Sequence, residues 1–287
     1  MSIVLAKHSW RGAGIDGGTM PDLYANIADI PEETAAMLAG VLETRAQELE
    51  MVAMRQRYFG WLELPAESRA VELGSGPGDV TRDLLSLPNV SEVVGLDPSP
   101  VMVKGARARH SGVTGLSFEV GDARETRFDD DSFDVAVFHT TLCHVPGPDR
   151  ALAEAFRILK PGGRLAVFDG DYVTGTVAIG ENDLLQHCVD AFFGNVENLW
   201  LCRSLAARIS ALGFKVTRRD AHPYLAGPEA LYFLSVVDRG ADVLVNAGTL
   251  GPDGAAAIKT EARRRVAEGT FFGFISFVSV IAEKPEN

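Results

Sequence analysis

The stretch Val71-Glu-Leu-Gly74-Ser-Gly76-Pro-Gly78-Asp-Val-Thr81 joins an apolar run to a glycine-rich turn and to the start of a helix. Glycine has no Cβ, so Gly74 and Gly76 permit tight backbone geometry and close approach of a ligand. A dinucleotide-binding turn would place its third glycine where Asp79 stands, whereas the spacing here is Gly-x-Gly-x-Gly. The stretch therefore predicts a strand, a ligand-binding turn and a helix, but by itself it does not identify the ligand.

Short apolar runs alternate with helical stretches on the carboxyl side of this turn. The predicted strands are residues 70–73, 93–96, 116–120, 135–138, 164–168, 214–219 and 271–282. Alternation of this kind is typical of parallel βαβ units. The last run has no helix after it and is expected to pair beside the sixth strand.

Four segments lie outside the repeating unit. Residues 1–30 are predicted to form a mobile N-terminal arm or flap, and residues 31–64 have the periodicity of helices. Insertions at about 170–200 and 221–270 follow strands. Because ligands bind at the carboxyl edge of such sheets, these insertions are expected to cover an active site in the domain spanning residues 65–287.

Composition restricts the classes of partner and compartment. The 27 basic and 39 acidic residues give a formal charge of −12, which disfavours a nucleic-acid substrate. Three cysteines without metal-ligand spacing indicate neither a disulfide framework nor a metal site. No long apolar run predicts a membrane span or a signal peptide, so a cytoplasmic protein is expected. A homodimer is left open.

The pattern Glu72-x-Gly74-x-Gly76-x-Gly78 resembles the first motif of class I S-adenosylmethionine-dependent methyltransferases. Asp97 ends the second predicted strand, where that family has an acidic side chain that accepts hydrogen bonds from both ribose hydroxyls. The resemblance covers about residues 65–170. It implies a Rossmann-like α/β fold with a seven-stranded, mostly parallel sheet, helices on both faces, an antiparallel last strand, N-terminal helices and helical lid insertions.

Further segments extend the resemblance in the same order. Gly121-Asp122-Ala123 is similar to the segment that meets the adenine amino group, and Met102 falls where an apolar side chain flanks the adenine ring. Residues 157–163 resemble the subgroup that includes the ubiquinone and menaquinone biosynthesis methyltransferases. The resemblance assigns to the S-adenosylmethionine site Glu72, Gly74, Ser75, Gly76, Gly78, Asp97, Pro98, Met102, Gly121, Asp122, Ala123 and His139.

Polar residues after the fourth and fifth strands are the catalytic candidates. Histidine titrates near neutral pH, so His139 or His144 could remove a proton from an acceptor, and His144 is the preferred base. A histidine bonded to a loop carbonyl explains His144 equally well. Asp169 can also project toward the acceptor. An arginine of the N-terminal helices, Arg45 among them, could pair with the methionine carboxylate.

The predicted function is therefore methyl transfer from S-adenosylmethionine to a small organic molecule, with release of S-adenosylhomocysteine. Aromatic residues in the insertions suit a ring-bearing or lipid-like acceptor, although core packing accounts for them as well. Three alternatives remain at this point. They are a rearrangement or elimination assisted by the same cofactor, a non-catalytic cofactor-binding partner, and a nicotinamide-dependent oxidoreductase.

Overall fold

A computed structural model describes residues 22–286 of the protein. The predicted arm lies outside the described residues except for its last part, residues 22–30. The strands are β1 (Ser68–Leu73), β2 (Val90–Asp97), β3 (Leu116–Val120), β4 (Phe133–His139), β5 (Leu159–Thr176), β6 (Lys215–Leu225) and β7 (Phe274–Glu283). The helices are α1 (Glu32–Gln47), α2 (Leu49–Phe59), α3 (Asp79–Leu85), α4 (Pro100–Arg109), α5 (Pro148–Ile158), α6 (Leu184–Phe193), α7 (Leu201–Ala211), α8 (Leu231–Asn246) and α9 (Pro252–Ala267).

The seven strands form one sheet in the order β3-β2-β1-β4-β5-β7-β6. Strands β1 to β5 pair in parallel, and β7 lies between β5 and β6 and is antiparallel to both. Val135, Ala136, Val137 and Phe138 are all fully buried, so side chains that point to opposite faces of β4 are both covered. The predicted mostly parallel sheet with an antiparallel last strand is confirmed.

Strands β5 and β6 are longer than the apolar runs predicted. Residues 170–176 continue β5 and residues 221–225 continue β6, so both stretches that were expected to open insertions are strand. The cause is β7, which supplies hydrogen-bond partners along both extensions, as in the pairs Gly170 with Phe277 and Tyr224 with Ile275. Pairing of this kind is tertiary and leaves no periodic signal in the local sequence.

Helix α2 and the residues before α1 pack over the central strands. The Tyr58 side chain of α2 is fully buried, and its ring stacks on Phe168 of β5 with 5.2 Å between centroids. Residues 22–30 form successive turns in which Ile27 packs with Leu38 of α1 and Met102 of α4. This segment is called the cover below, because its residues 24–29 line the cavity described in the next section.

Helices α6, α8 and α9 pack together beyond the carboxyl ends of β5 and β6. A Cβ added at Gly240 of α8 would lie 1.9 Å from the carbonyl oxygen of Cys188, so the two backbones approach closely there. Arg265 of α9 pairs with Asp183, which caps α6 by accepting from Leu185 N–H. Within residues 22–286, no helix has the length and apolar character needed to cross a membrane.

Candidate functional site

A cavity of about 280 Å³ opens at the carboxyl ends of β1, β2 and β4. Its wall combines the glycine-rich turn after β1, the ends of β2 and β4, the cover and α1. The residues singled out from the sequence that line it are Glu72, Gly74, Ser75, Gly76, Asp97, Pro98, Met102, Asp122, Ala123, His139 and His144. Folding thus brings most of the predicted set to one wall, while their contacts with a cofactor stay predictions.

The glycines of the turn serve different purposes. All three have positive φ, but a Cβ at Gly74 would lie 2.2 Å from Thr141 and one at Gly78 would lie 2.6 Å from the Phe118 ring. At Gly76 the nearest atom is a Leu42 methyl group at 3.5 Å, and Leu42 itself lines the cavity. Packing against neighbouring segments therefore requires Gly74 and Gly78, whereas Gly76 keeps backbone open to the cavity.

Asp97 ties the end of β2 to the glycine-rich turn. Its Oδ2 accepts from Gly76 N–H at 2.8 Å and its Oδ1 accepts from Ser99 N–H at 2.9 Å. Burial raises the pKa of Asp97 to about 6, against the two backbone hydrogen bonds, which lower it. Since each carboxylate oxygen has two lone pairs, the side chain retains capacity to accept from a ligand.

Glu72 lies deeper, within β1, and is almost completely buried. Its Oε2 accepts from Thr81 Oγ1 at 2.5 Å. Burial raises the pKa of this carboxyl to about 8, and the Thr81 hydrogen bond and the charge of Arg55 reduce the shift. Glu72 is therefore predominantly protonated at neutral pH, unlike a surface glutamate.

The opposite end of the cavity wall contains the loop after β3. Asp122 accepts from Arg124 Nη2 at 2.6 Å and from Arg124 N–H at 2.8 Å, and this side-chain bond lowers the pKa of Asp122. Met102, which is 2% exposed, packs near this end with Ile27. Arg124 was not anticipated from the sequence, and it also lines the cavity.

His139 ends β4 and is held in an aromatic stack. Its ring lies 4.8 Å from Phe168, nearly parallel to it, and Nδ1 is 2.9 Å from the Tyr58 hydroxyl. Burial, with the charges of Arg55 and Arg45, holds the pKa of His139 well below its ordinary value. The ring is therefore neutral and a weak base.

His144 ends the 3₁₀ turn Leu142–His144 and has a different environment. Its Nδ1 lies 2.6 Å from Asp22 Oδ2, and its ring lies 4.8 Å from the Tyr24 ring. Asp22 and Tyr24 belong to the cover, and nothing in the local sequence pattern singled them out. A carboxylate on one imidazole nitrogen leaves the other available for proton transfer.

Three predicted site residues do not line the cavity. Asp169 is fully buried under the 3₁₀ turn, where its Oδ2 accepts from Cys143 N–H at 3.0 Å, so it supports the turn and does not project toward an acceptor. A Cβ at Gly121 would meet Leu96 at 2.7 Å, which indicates a packing requirement. Gly78 begins α3 in the left-handed conformation, against Phe118.

Of the N-terminal arginines, Arg45 reaches the cavity. Its Nη2 donates to Thr140 Oγ1 at 2.6 Å, whereas Arg55 pairs with Asp83 outside the lining. Among the described residues no carboxylate lies within salt-bridge distance of Arg45. Burial opposes its charge, but the electrostatic influence of Tyr172, Tyr232 and Tyr24 outweighs burial and raises the pKa of Arg45. The guanidinium is thus available to an anionic ligand group.

Several histidine and aromatic side chains of the predicted insertions lie away from the cavity. His222 is fully buried against Ser279, with Nε2 2.8 Å from the hydroxyl, and Tyr224 donates to Glu48 at 2.6 Å. His187 is exposed on α6, and Trp200 is 59% exposed on the surface. Core packing accounts for His222 and Tyr224, and His187 and Trp200 lie at the surface.

The residues present fit an adenosyl amino acid. Ser75 Oγ is buried at the cavity wall with no hydrogen-bond partner among residues 22–286, so a polar ligand atom would satisfy it. The backbone at Gly76 is open, Asp97 can accept from two hydroxyls, and Arg45 matches a carboxylate. Fold and wall together have the features expected of an α/β protein that uses S-adenosylmethionine.

Comparison with known proteins identifies the family. Residues 71–167 match the family described as "Methyltransferase domain". The chain is 32% identical over 212 residues to the ubiquinone/menaquinone biosynthesis C-methyltransferase UbiE of Dinoroseobacter shibae, covering 72% of this chain and 74% of that protein. The chain belongs to the class I S-adenosylmethionine-dependent methyltransferases, and within them it resembles the ubiquinone methyltransferase subgroup.

Two further comparisons bear on extent and fold. An uncharacterized 37.1 kDa protein in transposon TN4556 of Streptomyces fradiae is 31% identical over 225 residues, which cover 76% of this chain but only 63% of that protein. The phosphoethanolamine N-methyltransferase 2 of Haemonchus contortus, solved with S-adenosylmethionine, superimposes with a TM-score of 0.58 at 17% identity. That match covers 91% of this chain and 60% of the solved chain, and it shows the common fold.

Proposed function

We propose that this chain transfers the methyl group of S-adenosylmethionine to a small organic acceptor whose proton is removed by His144. The observation that carries this proposal is the single cavity wall on which Asp97, the glycine-rich turn and His144 meet. A cofactor anchor and a basic side chain that line one cavity are what methyl transfer to a proton-bearing nucleophile requires.

The cofactor would be held by residues at the ends of β1 and β2. We assign the ribose to Asp97, the amino-acid carboxylate to Arg45 and the adenine to the wall formed by Met102, Asp122 and Ala123. S-adenosylmethionine supplies an electrophilic methyl group on a positively charged sulfur. The protein's part is to align the acceptor with that methyl group, to exclude water and to remove the acceptor's proton.

His144 is a better base than His139 for two physical reasons. The pKa of His139 is held well below its ordinary value by burial, and its Nδ1 is engaged by Tyr58. His144 is only partly buried, and its Nδ1 is next to a carboxylate. A carboxylate that accepts from Nδ1 holds the imidazole in one orientation.

The acceptor class is supported by the aromatic rings near His144. The Tyr24 ring lines the cavity 4.8 Å from the His144 ring, and the Tyr172 ring, 6.4 Å from His144, packs edge to face on Phe193 at 5.1 Å. We infer a ring-bearing or lipid-like acceptor. UbiE is named for ubiquinone and menaquinone biosynthesis, which agrees with this class, whereas the malonyl-[acyl-carrier protein] O-methyltransferase of Methylococcus capsulatus, at 27% identity, is named for a different acceptor.

The comparisons favour methyl transfer over the other hypotheses. The matched family and the named relatives are methyltransferases, so a non-methylating reaction of the same cofactor and a nicotinamide oxidoreductase lose support. We also propose that residues 65–287 form the methyltransferase domain with its insertions. A reducing, cytoplasmic location is proposed because Cys143, Cys188 and Cys202 are all unpaired.

The test is methylation of a panel of phenols, amines and carboxylic acids, with labelled methyl and S-adenosylhomocysteine both quantified. We expect His144→Ala to lower kcat by about 10²-fold or more while S-adenosylhomocysteine affinity stays within about twofold. The matched control is His187→Ala on the exposed face of α6, which should behave as wild type. Binding of S-adenosylhomocysteine without methylation of any acceptor would contradict methyl transfer. Full activity of His144→Ala would show that His144 is not the base.

A further inference from the structure

The closest partner of His144 comes from a distant part of the chain. Asp22, separated from it by 122 positions, places Oδ2 2.6 Å from His144 Nδ1. The Asp22 side chain is 5% exposed and that of His144 is 17% exposed, so water screens this pair poorly. A buried carboxylate on one nitrogen of a cavity-lining imidazole has a chemical consequence for the other nitrogen.

The Asp22 carboxylate is held from three directions. Oδ1 accepts from Tyr24 N–H at 3.0 Å, and Oδ2 accepts from Glu197 N–H at 3.1 Å as well as contacting His144. Burial by itself would raise the pKa of Asp22, but the hydrogen bonds from His144, Glu197 N–H and Tyr24 N–H oppose it, and the pKa is lowered. Asp22 is therefore ionised at neutral pH.

An ionised carboxylate can only accept hydrogen bonds. The proton in the Asp22–His144 bond then resides on His144 Nδ1, and in the neutral form of the ring Nε2 is the nitrogen with the free lone pair. This tautomer is the one that a base needs when its Nδ1 faces a carboxylate and its other side faces a cavity.

Asp22 and His144 are both held by the loop that contains Glu197 and Asn198. Asn198, next to Glu197 on the loop that holds Asp22, donates its side-chain amide to Leu142 O at 3.0 Å and to Val145 O at 2.7 Å. The same loop donates Asn198 N–H to Cys143 O at 2.8 Å. The 3₁₀ turn that carries His144 is thus fastened directly to the loop that orients Asp22.

Other ionisable groups near the pair do not replace Asp22. Asp169, under the same turn, is engaged by the N–H groups of Cys143 and Gly170, and burial raises its pKa. The Tyr172 ring is 6.4 Å from His144, and burial holds the pKa of its phenol well above the ordinary value. Asp22 is the ionised carboxylate in contact with the imidazole among the described residues.

We propose that Asp22 is a positioning residue for His144, fixing its tautomer and orientation from the cover. The inference rests on the proposed function, because it concerns the base of that reaction. In the step, the acceptor's O–H or N–H proton passes to Nε2, and the freed electron pair forms the bond to the methyl carbon. The electrons of the carbon–sulfur bond remain on sulfur, which leaves as the neutral thioether, and the imidazolium later releases its proton to water.

The first test needs no acceptor. Long-range ¹H–¹⁵N correlation of the histidine rings in the full chain, with S-adenosylhomocysteine added, reports which nitrogen of each neutral ring carries the proton. His144→Gln assigns the signal. We expect the Nδ1–H tautomer in wild type and a mixture in Asp22→Asn, whose single oxygen can accept from only one of the Tyr24 and Glu197 amides. A wild-type ring in the Nε2–H form, or no change in Asp22→Asn, overturns the proposal.

The second test uses whichever acceptor of the panel is methylated. Asp22→Asn should lower kcat by about tenfold or more, with the KM for S-adenosylmethionine within about twofold. Glu33→Gln is the control, since it removes one charge from an exposed position at the start of α1 and should act as wild type. Undiminished kcat in Asp22→Asn contradicts the proposal. If no acceptor is methylated by wild type, the proposed function fails, and the tautomer measurement still decides the Asp22 assignment.

Discussion

Single residues of this protein take their properties from burial more than from residue type. Asp97 and Asp122 are both aspartates on the cavity wall, yet burial raises the pKa of Asp97 while Arg124 lowers that of Asp122. His139 and His144 differ in the same way, one stacked between aromatic rings and one facing a carboxylate. Equivalent letters in the sequence are therefore chemically distinct in the fold.

Cofactor affinity should depend on the ionisation of Asp97. Its folded-state pKa is about 6, and the ionised form accepts hydroxyl hydrogen bonds best, so affinity should be full above pH 6 and fall as pH drops below it. Asp97→Asn should weaken S-adenosylhomocysteine binding by about 1–3 kcal/mol at pH 7.5 and flatten this pH dependence. Isothermal calorimetry at several pH values measures both.

The control for Asp97 lies on the same strand. Glu92→Gln removes a carboxylate of β2 that pairs with Arg69 away from the cavity, and it should leave affinity unchanged. If wild type and Asp97→Asn bound S-adenosylhomocysteine with equal affinity at every pH, the assignment of Asp97 to the ribose would be wrong.

At the scale of elements, close backbone approach determines how the insertion helices pack over the sheet. Helices α6 and α8 meet where Gly240 faces the Cys188 carbonyl, and α9 is joined to the start of α6 by the pair of Arg265 and Asp183. Only a residue without a side chain permits that separation between α6 and α8.

Gly240→Ala should lower the free energy of unfolding by about 1–3 kcal/mol, because its Cβ would lie 1.9 Å from a backbone oxygen and the helices would have to shift. Gly105→Ala in α4 is the matched control. No atom lies within 4 Å of its added Cβ, so this substitution should stabilise the protein by about 0.5–1 kcal/mol. Urea denaturation of both variants is the measurement, and a Gly240→Ala variant as stable as wild type would contradict the close packing.

At the scale of the whole molecule, the contribution of one buried group, Glu72, to the free energy of unfolding should decrease between about pH 5 and pH 8. Glu72 has an ordinary pKa of 4.5 and a folded-state pKa of about 8. In that interval the unfolded chain releases the proton and the folded chain keeps it, so each rise in pH favours unfolding. The contribution is complete below pH 4.5 and lost above pH 8.

Glu72→Gln should remove this dependence, since the neutral amide does not titrate. Relative to wild type, its free energy of unfolding should be higher at pH 8 than at pH 5 by about 1–4 kcal/mol. Denaturation curves of both proteins at the two pH values give the difference. The control is Glu119→Gln, at an exposed position on β3, whose free energy of unfolding should differ from that of wild type by the same amount at pH 5 and pH 8. If Glu72→Gln also differed from wild type by the same amount at both pH values, the raised pKa of Glu72 would be contradicted.

The sequence by itself determined the sheet, the glycine-rich turn and the side chains that follow β1, β2 and β4. Local periodicity specifies strands and helices, and parallel connectivity forces the ends of these strands to one edge. The positions of Asp97, His139 and His144 on a common wall follow from that rule.

Only the tertiary structure decided which groups complete the site. Asp22 meets His144 across 122 positions and Arg45 meets Thr140 across 95, and neither contact has a local signature. The same holds for Asp169, which was expected after the fifth strand but lies within β5, where its side chain accepts from Cys143 N–H of the 3₁₀ turn. Contacts between distant segments depend on how the whole core packs, and the burial that packing creates sets the charge on each group.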